Sequence, residues 1–200
     1  MARDPNISAG LDRRAVVAAI LRDRGDLLVV TGLGSPSYDV HAAGDHDANY
    51  YLWGAMGSAA LVGLGLAQAQ PDRPVLVVTG EGEQLMGLGG LATIGVARPR
   101  NLALLVLDNE HYGETGMQGS HTGRGVDLVG VALACSFASA ETLRDMDAVA
   151  VARTALLAPG DGPRLFVAKV SADAPPRSLP VRDAVFIKNR LRGHLGLAPN

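Results

Sequence analysis

Two short polar motifs follow two apolar, β-rich runs of the sequence. The run "RPVLVVTG" continues into Gly80-Glu81-Gly82, and the run "NLALLVLDN" ends on Asp108-Asn109. A carboxylate and an amide oxygen at neighbouring strand ends can hold Mg²⁺, which often takes its remaining oxygen ligands from phosphates and water. Glycines around Glu81 let a phosphate approach the backbone, and a helix beginning near Glu83 would direct free N–H groups at that anion. The pattern therefore predicts a Mg²⁺–diphosphate site, although many α/β turns carry a similar glycine pair.

The elements that would position these motifs alternate between strands and helices. Apolar spacing and turn residues predict helices over 10–23, 57–70, 83–97, 127–137, 142–158 and 181–195, and strands over 26–32, 74–80, 101–109 and 163–171. Residues 33–51 are rich in polar residues and contain Gly and Pro, which predicts a loop. We expect one α/β domain over residues 1–200, with a mostly parallel central sheet flanked by helices on both faces. In such sheets ligands bind outside the carboxyl ends of the strands, where both motifs fall.

The composition excludes several classes of protein and site. A formal net charge of −2 and a pI near 6.2 give no electrostatic reason to expect a nucleic acid or an anionic membrane as partner. The single cysteine, Cys135, excludes an internal disulfide framework and a cysteine-rich metal site within this chain. The first residues lack the apolar run of a signal peptide, and no uninterrupted apolar stretch is long enough for a transmembrane helix. We therefore expect a cytoplasmic protein.

The two motifs and their spacing resemble the signature of thiamine-diphosphate enzymes, GDG followed by NN. The preceding segment "YYLWGAMGSAALVGLGLA" is also similar to these enzymes. The resemblance implies that Glu81, Asn109 and the backbone carbonyl of His111 bind Mg²⁺. It also implies that Met56 wedges the cofactor into its bent conformation, while Gly54 and the Met56 N–H contact the pyrimidine ring. The cofactor-binding residues implied in this way are Gly54, Ala55, Met56, Gly80, Glu81, Gly82, Glu83, Asn109, His111, Tyr112 and Gly113.

Longer segments narrow the resemblance within the thiamine-diphosphate enzymes. The segment "LMGLGGLATIGVARPRNLALLVLDNEHYGETGMQ" and the final "RDAVFIKNRL" resemble sulfopyruvate decarboxylase beta subunits and the carboxyl-terminal half of phosphonopyruvate decarboxylases. The likeness extends over essentially the whole chain and implies a diphosphate-binding (PP) domain. The implied reaction converts an anionic 2-oxoacid into an aldehyde and CO₂. His121 and Arg124 are candidates to contact the substrate's anionic group, alongside His111.

Three residues depart from the pattern of this family. Glu81 stands where the family has Asp, Glu83 where Ser or Ala is usual, and Glu114 where Ser precedes "TG". These changes leave open a catalytically degenerate regulatory subunit. An acetolactate-synthase-like carboligase also stays open, because the resemblance does not decide the fate of the decarboxylated product.

A second domain is also needed by the chemistry that the resemblance implies. In this family a glutamate from a pyrimidine-binding (PYR) domain activates the cofactor, and nothing in the 200 residues corresponds to such a domain. We therefore expect a PYR-domain alpha subunit that completes the active site.

A dinucleotide-binding turn is the remaining alternative. The segment "VVTGLGSPS" follows a predicted strand and contains G-x-G. It lacks the third glycine or alanine of the fingerprint, and "SPSYDV" does not read as a helix start. A dinucleotide-binding site is therefore a weaker hypothesis than a thiamine-diphosphate site.

Overall fold

A six-stranded, entirely parallel sheet forms the centre of the computed structural model, which describes residues 10–198. The strands of the chain are β1 (Leu28–Thr31), β2 (Asn49–Tyr51), β3 (Val75–Gly80), β4 (Leu102–Asp108), β5 (His111–Tyr112), β6 (Gln118–Gly119), β7 (Ser139–Leu143) and β8 (Arg164–Lys169). The central sheet has the order β2-β1-β3-β4-β8-β7, and β5 pairs with β6 in a small antiparallel hairpin. The expected parallel α/β sheet is confirmed, and β3 and β4 lie side by side within it.

Helices cover both faces of the sheet. They are α1 (Arg13–Leu21), α2 (Ser35–Ala42), α3 (Ala59–Ala69), α4 (Glu81–Met86), α5 (Gly90–Ala97), α6 (Leu128–Ala134), α7 (Met146–Leu157) and α8 (Ala184–His194). Successive side chains of β3 alternate between two cores, because a strand points its residues to opposite faces. Leu76 and Val78 pack with α1 and α7, whereas Val75 and Val77 pack with α3, α5 and α6. Both faces of β3 and β4 are therefore apolar, which explains their uninterrupted hydrophobic runs.

The predicted loop over 33–51 is wrong, because it contains α2 and β2. Proline is compatible with the first turn of a helix, since its missing N–H has no intrahelical partner there. Pro36 lies in this first turn, and Gly34 precedes the helix with a φ of 80°. The objection that "SPSYDV" cannot open a helix fails for the same reason. The sequence instead forms a strand, a glycine-containing turn and a helix.

The single helix predicted over 83–97 is interrupted between α4 and α5. A Cβ on Gly87 would lie 2.0 Å from the carbonyl oxygen of Gly57, so the two backbones touch where the helix breaks. The helix predicted to start at residue 142 instead begins at Met146, after the strand β7. The strand β7 has exposed polar residues and lies at the edge of the sheet. Its sequence therefore shows little alternation of apolar and polar residues, and it was not predicted as a strand.

Across residues 10–198, none of the helices combines the length and the apolar character needed to span a lipid bilayer.

Candidate functional site

A cavity of about 560 Å³ opens beside the carboxyl ends of β3 and β4. It brings together all of the predicted cofactor residues except Gly54 and Ala55. The predicted residues that line it are Met56, Gly80, Glu81, Gly82, Glu83, Asn109, His111, Tyr112 and Gly113. Because β3 and β4 pair in parallel, with Gly80 opposite Leu107, the two polar motifs emerge next to each other. The cavity is therefore where the sequence predicted a ligand site.

Glu81 begins α4 directly after β3 and is 97% buried, with a relative exposure of 3%. Its Oε1 atom has no hydrogen-bond partner within the described chain. Burial, reinforced by the neighbouring Asp108 carboxylate, raises the pKa of Glu81 to about 7, while the Ser120 hydroxyl and the Asn109 N–H act in the opposite direction. A buried carboxylate oxygen without a donor suits a cation, which would favour the ionised form.

Asn109 follows β4 and shapes the backbone that leaves the sheet. Its Oδ1 atom accepts a hydrogen bond from the His111 N–H at 3.0 Å, and the His111 ring nitrogen Nδ1 lies 2.8 Å from the Asn109 carbonyl oxygen. Such a local amide-to-backbone bond sets a tight turn. An amide oxygen has a second lone pair, so this bond leaves Asn109 able to serve as a metal ligand.

Asp108, next to Asn109, is held by three donors and serves to fix the loop. Its Oδ1 accepts from the Glu110 N–H at 3.0 Å and the Thr122 hydroxyl at 2.8 Å, and its Oδ2 accepts from the Lys169 ammonium at 2.7 Å. Lys169 also donates to Glu110 at 2.8 Å. Partial burial acts to lower the pKa of Lys169, but its hydrogen bonds to the Asp108 and Glu110 carboxylates raise the pKa on balance.

Lys169 was not among the residues singled out from the sequence. Its contact with Asp108 could be found only from the register of the β4–β8 pair, in which Asp108 lies opposite Lys169.

The Glu83 side chain contacts two other loops. Its Oε2 accepts from the Leu33 N–H at 2.9 Å, and its Oε1 accepts from the Gly57 N–H at 3.3 Å. The side chain is almost fully buried, and burial raises the pKa of Glu83 while these N–H groups act to lower it. The carboxylate therefore joins the turn after β1 to the turn before α3.

Tyr112 and His121 form one wall of the cavity. The Tyr112 hydroxyl lies 2.7 Å from Nδ1 of His121, and their rings meet edge to face. A Cβ on Gly82 would lie 2.9 Å from a carbon of the Tyr112 ring, so only glycine fits at this position without displacing the ring. The last glycine of Gly80-Glu81-Gly82 is thus favoured by packing against Tyr112.

Met56 lies in a turn with an unusual backbone. Gly54, Ala55 and Gly57 have φ values of 90°, 47° and 94°, in the left-handed region that favours glycine. The Met56 side chain faces the cavity and is 40% exposed. Strain of this kind at Ala55 is frequent at ligand sites.

The histidine and arginine side chains near the cavity differ from the set expected from the sequence. His111 and His121 line it, whereas Arg124 is exposed in the turn Thr122–Arg124 and does not. Arg13, which the sequence did not single out, lines the cavity from the start of α1. Its Nε lies 3.2 Å from the buried Asp39 carboxylate. No local motif marks Arg13, because the fold alone brings α1 to this edge.

A family model, described as the thiamine pyrophosphate enzyme C-terminal TPP binding domain, matches residues 35–166. The chain belongs to this family. The matched region includes both polar motifs and the Met56 turn, so the parts of the chain that carry the predicted cofactor residues belong to a thiamine pyrophosphate enzyme domain.

Relatives of this thiamine pyrophosphate enzyme domain include decarboxylases. It is 34% identical over 164 residues to the sulfopyruvate decarboxylase subunit beta of Methanococcus maripaludis, covering 80% of this chain and 84% of that protein. It is 39% identical over 121 residues to the subunit beta of Methanocaldococcus jannaschii, covering 60% and 64%. It is 42% identical over 161 residues to the phosphonopyruvate decarboxylase of Streptomyces viridochromogenes, covering 80% of this chain but 38% of that protein. The chain thus spans less than two thirds of the latter two relatives.

Solved structures share the fold of the domain. The benzoylformate decarboxylase of Polynucleobacter necessarius aligns with a TM-score of 0.70 at 20% identity, covering 88% of this chain and 36% of that one. The 4-hydroxybenzoylformate decarboxylase of Rhodococcus jostii aligns with a TM-score of 0.67, also at 20% identity, covering 86% and 35%. At this identity the likeness establishes the fold.

The oxygen atoms at this end of the cavity are compatible with a metal ion bound beside a diphosphate. Within residues 10–198 no group of three or more His, Cys, Asp or Glu side chains is arranged to hold a metal ion. The cavity instead offers the unpartnered Oε1 of Glu81 beside the amide of Asn109. A small number of protein ligands is typical for Mg²⁺, because this ion usually keeps several waters and takes substrate phosphates as its other ligands.

Proposed function

We propose that this chain is the PP-domain beta subunit of a split, thiamine-diphosphate- and Mg²⁺-dependent 2-oxoacid decarboxylase. The observation that carries the proposal is the buried Glu81 oxygen without a partner, in a family domain whose cavity also contains Asn109. Glu81, Asn109 and the His111 carbonyl would hold Mg²⁺. When bound, thiamine diphosphate supplies the electron sink that lets a 2-oxoacid lose CO₂.

The residues of this chain would bind and position the cofactor. The strained turn from Gly54 to Gly57 presents Met56 to the cavity, where its side chain would support the bent conformation. The apolar lining, including Leu85, Leu88 and Val126, would limit access of water to the reacting atoms. The Asp108–Lys169 pair keeps the loop after β4 in place, which positions Asn109.

The proposed substrate is an anionic 2-oxoacid resembling sulfopyruvate or phosphonopyruvate, and the products are an aldehyde and CO₂. Relatives that cover most of this chain are named for these two activities. His111, His121 and Arg13 give the cavity cationic or N–H-donating groups suited to a second anionic group. Arg124 stays a candidate from a neighbouring turn.

The proposed partner is an alpha subunit with a PYR domain, which would supply the glutamate that activates the cofactor. Large apolar side chains near the cavity support an interface: Met86, a lining residue, is 65% exposed, and Met56 and Met117 are about 40% exposed. Aromatic residues and Met are enriched at protein interfaces. A cytoplasmic location belongs to the same proposal.

The decisive experiment measures decarboxylation of sulfopyruvate and phosphonopyruvate with thiamine diphosphate and Mg²⁺. The chain is assayed alone and after co-expression with a PYR-domain subunit encoded nearby. Turnover only in the co-expressed sample is expected. Turnover by the chain alone would contradict the split arrangement, and carboligation without aldehyde release would favour the carboligase.

A further inference from the structure

Two backbone N–H groups beside the cavity converge on one carboxylate. The donors are Leu33, in the turn after β1, and Gly57, in the turn before α3. We call this pair of N–H groups the amide nest. Each donates to a different oxygen of Glu83, at 2.9 Å for Leu33 and 3.3 Å for Gly57. Backbone N–H groups that converge from separate loops can hold an anion, as they do in oxyanion holes.

Gly32 leaves room for the Glu83 carboxylate between the Leu33 and Gly57 N–H groups. A Cβ on Gly32 would lie 1.9 Å from Oε2 of Glu83, so any other residue at position 32 would collide with the side chain as it stands. Glu83 is 3% exposed and lines the same cavity as Glu81. The anion in the amide nest is therefore an integral, buried part of the fold.

A phosphate group would use the same donors. Two oxygens of a phosphate can accept from two converging N–H groups as a carboxylate does, and turns after parallel strands bind phosphates in this way. The unpartnered Oε1 of Glu81 indicates a cation site in the same cavity. A cation bound there would also be a ligand partner for the negatively charged phosphate. The amide nest thus has the chemistry of a diphosphate site, but its donors are engaged by Glu83.

We infer that Glu83 is an internal carboxylate ligand of the amide nest, which a diphosphate must displace before it can bind there. This inference rests on the proposed function only for the identity of the diphosphate. Two consequences follow for binding. The bound anion loses the Leu33 and Gly57 donors unless Glu83 leaves, and it meets a like charge if Glu83 stays nearby.

The test compares the full chain with Glu83→Ser and Glu83→Gln by isothermal titration with inorganic pyrophosphate in the presence of Mg²⁺. Ser is short enough to free the amide nest, and we expect it to tighten binding about 10- to 100-fold. Gln keeps the size of Glu but removes the charge, so it should give a smaller gain. Fluorescence of Trp53, the only tryptophan, provides a second readout next to the Gly54–Gly57 turn.

The matched controls are Glu141→Ser and Glu141→Gln, which make the same changes at an exposed position on β7. They should leave pyrophosphate binding unchanged. Circular dichroism confirms that each variant is folded, and the Gln variant serves if the Ser variant is not. Equal or weaker binding by both folded Glu83 variants overturns the inference, as does an equal gain in the controls.

Failure of the inference is distinguishable from failure of the proposed function. If neither the wild type nor the Glu83 variants bind Mg²⁺-pyrophosphate, the amide nest is not a phosphate site and the inference is wrong. The decarboxylation assay with the partner subunit does not depend on that result. Conversely, tighter pyrophosphate binding by Glu83→Ser supports the inference even if no 2-oxoacid is decarboxylated.

Discussion

The ammonium nitrogen of Lys169 lies 2.7 Å from Oδ2 of Asp108, and the pair joins the ends of β8 and β4. The Asp108 side chain is almost completely buried, whereas that of Lys169 is partly exposed. The pair therefore stabilises the loop that carries Asn109 from outside the cavity.

Lys169→Met should lower the free energy of unfolding by about 2–3 kcal/mol, because it leaves the buried Asp108 carboxylate with neutral donors only. Chemical denaturation measures the loss. Adding Asp108→Asn to this variant should recover part of it, since the buried charge is then gone. A double variant less stable than the sum of both single losses would contradict this account.

Gly87→Ala should destabilise the fold by about 3 kcal/mol or more, because the new Cβ would lie 2.0 Å from the Gly57 carbonyl oxygen. Gly89→Ala is the matched control. Its Cβ would meet nothing within 4 Å, and its φ of −61° suits any residue. Denaturant midpoints measure both variants, and equal losses would show that the contact between Gly57 and Gly87 is not a constraint.

Asp39→Asn should change how stability depends on pH. Burial raises the pKa of Asp39 above its ordinary 3.8, outweighing the opposing effects of Arg13 and Arg14. A carboxyl with a raised pKa binds its proton more tightly in the folded state, so its stabilising contribution is complete below pH 3.8 and is lost as pH rises through the raised value. The stability of the Asn variant relative to wild type should therefore increase between pH 4 and pH 7.

Denaturation at several pH values measures this difference. A difference that stays level or decreases toward pH 7 would contradict the burial argument.

Glu81→Ala should abolish Mg²⁺-dependent binding of thiamine diphosphate, because the buried carboxylate is the one charged ligand proposed for the metal. Glu81→Asp keeps the charge and should preserve or improve binding. Titration with and without Mg²⁺ separates the two cases, with Glu141→Ala as an exposed control. Undiminished binding by the Glu81→Ala variant would refute the ligand assignment.

The parts of the site that lie within one strand–turn–helix unit could be predicted from the sequence. Glu81 and Asn109 follow two apolar runs, and parallel pairing then places both at one edge of the sheet. The contact between Glu83 and Leu33 could not be predicted, because it joins residues 50 positions apart through two different loops. Arg13 was missed for the same reason, since only the packing of α1 brings it to the cavity.

The predicted boundaries of helices and strands were wrong where backbone contacts outweighed the local pattern of apolar residues. The apolar and glycine-containing run over 83–97 suits one helix, but contact with Gly57 ends α4 at Met86. The turn after β1 looked like a loop because its residues are polar, although Pro36 is compatible with a helix start.

The strand order has a consequence for biosynthesis. β7 pairs within the sheet only with β8, which comes later in the chain, and β8 also covers the edge of β4. Until residues 164–169 leave the ribosome, β4 presents an open apolar edge and β7 has no strand to join. Nascent chains that stall before this point should aggregate or recruit chaperones, because open strand edges pair with other chains.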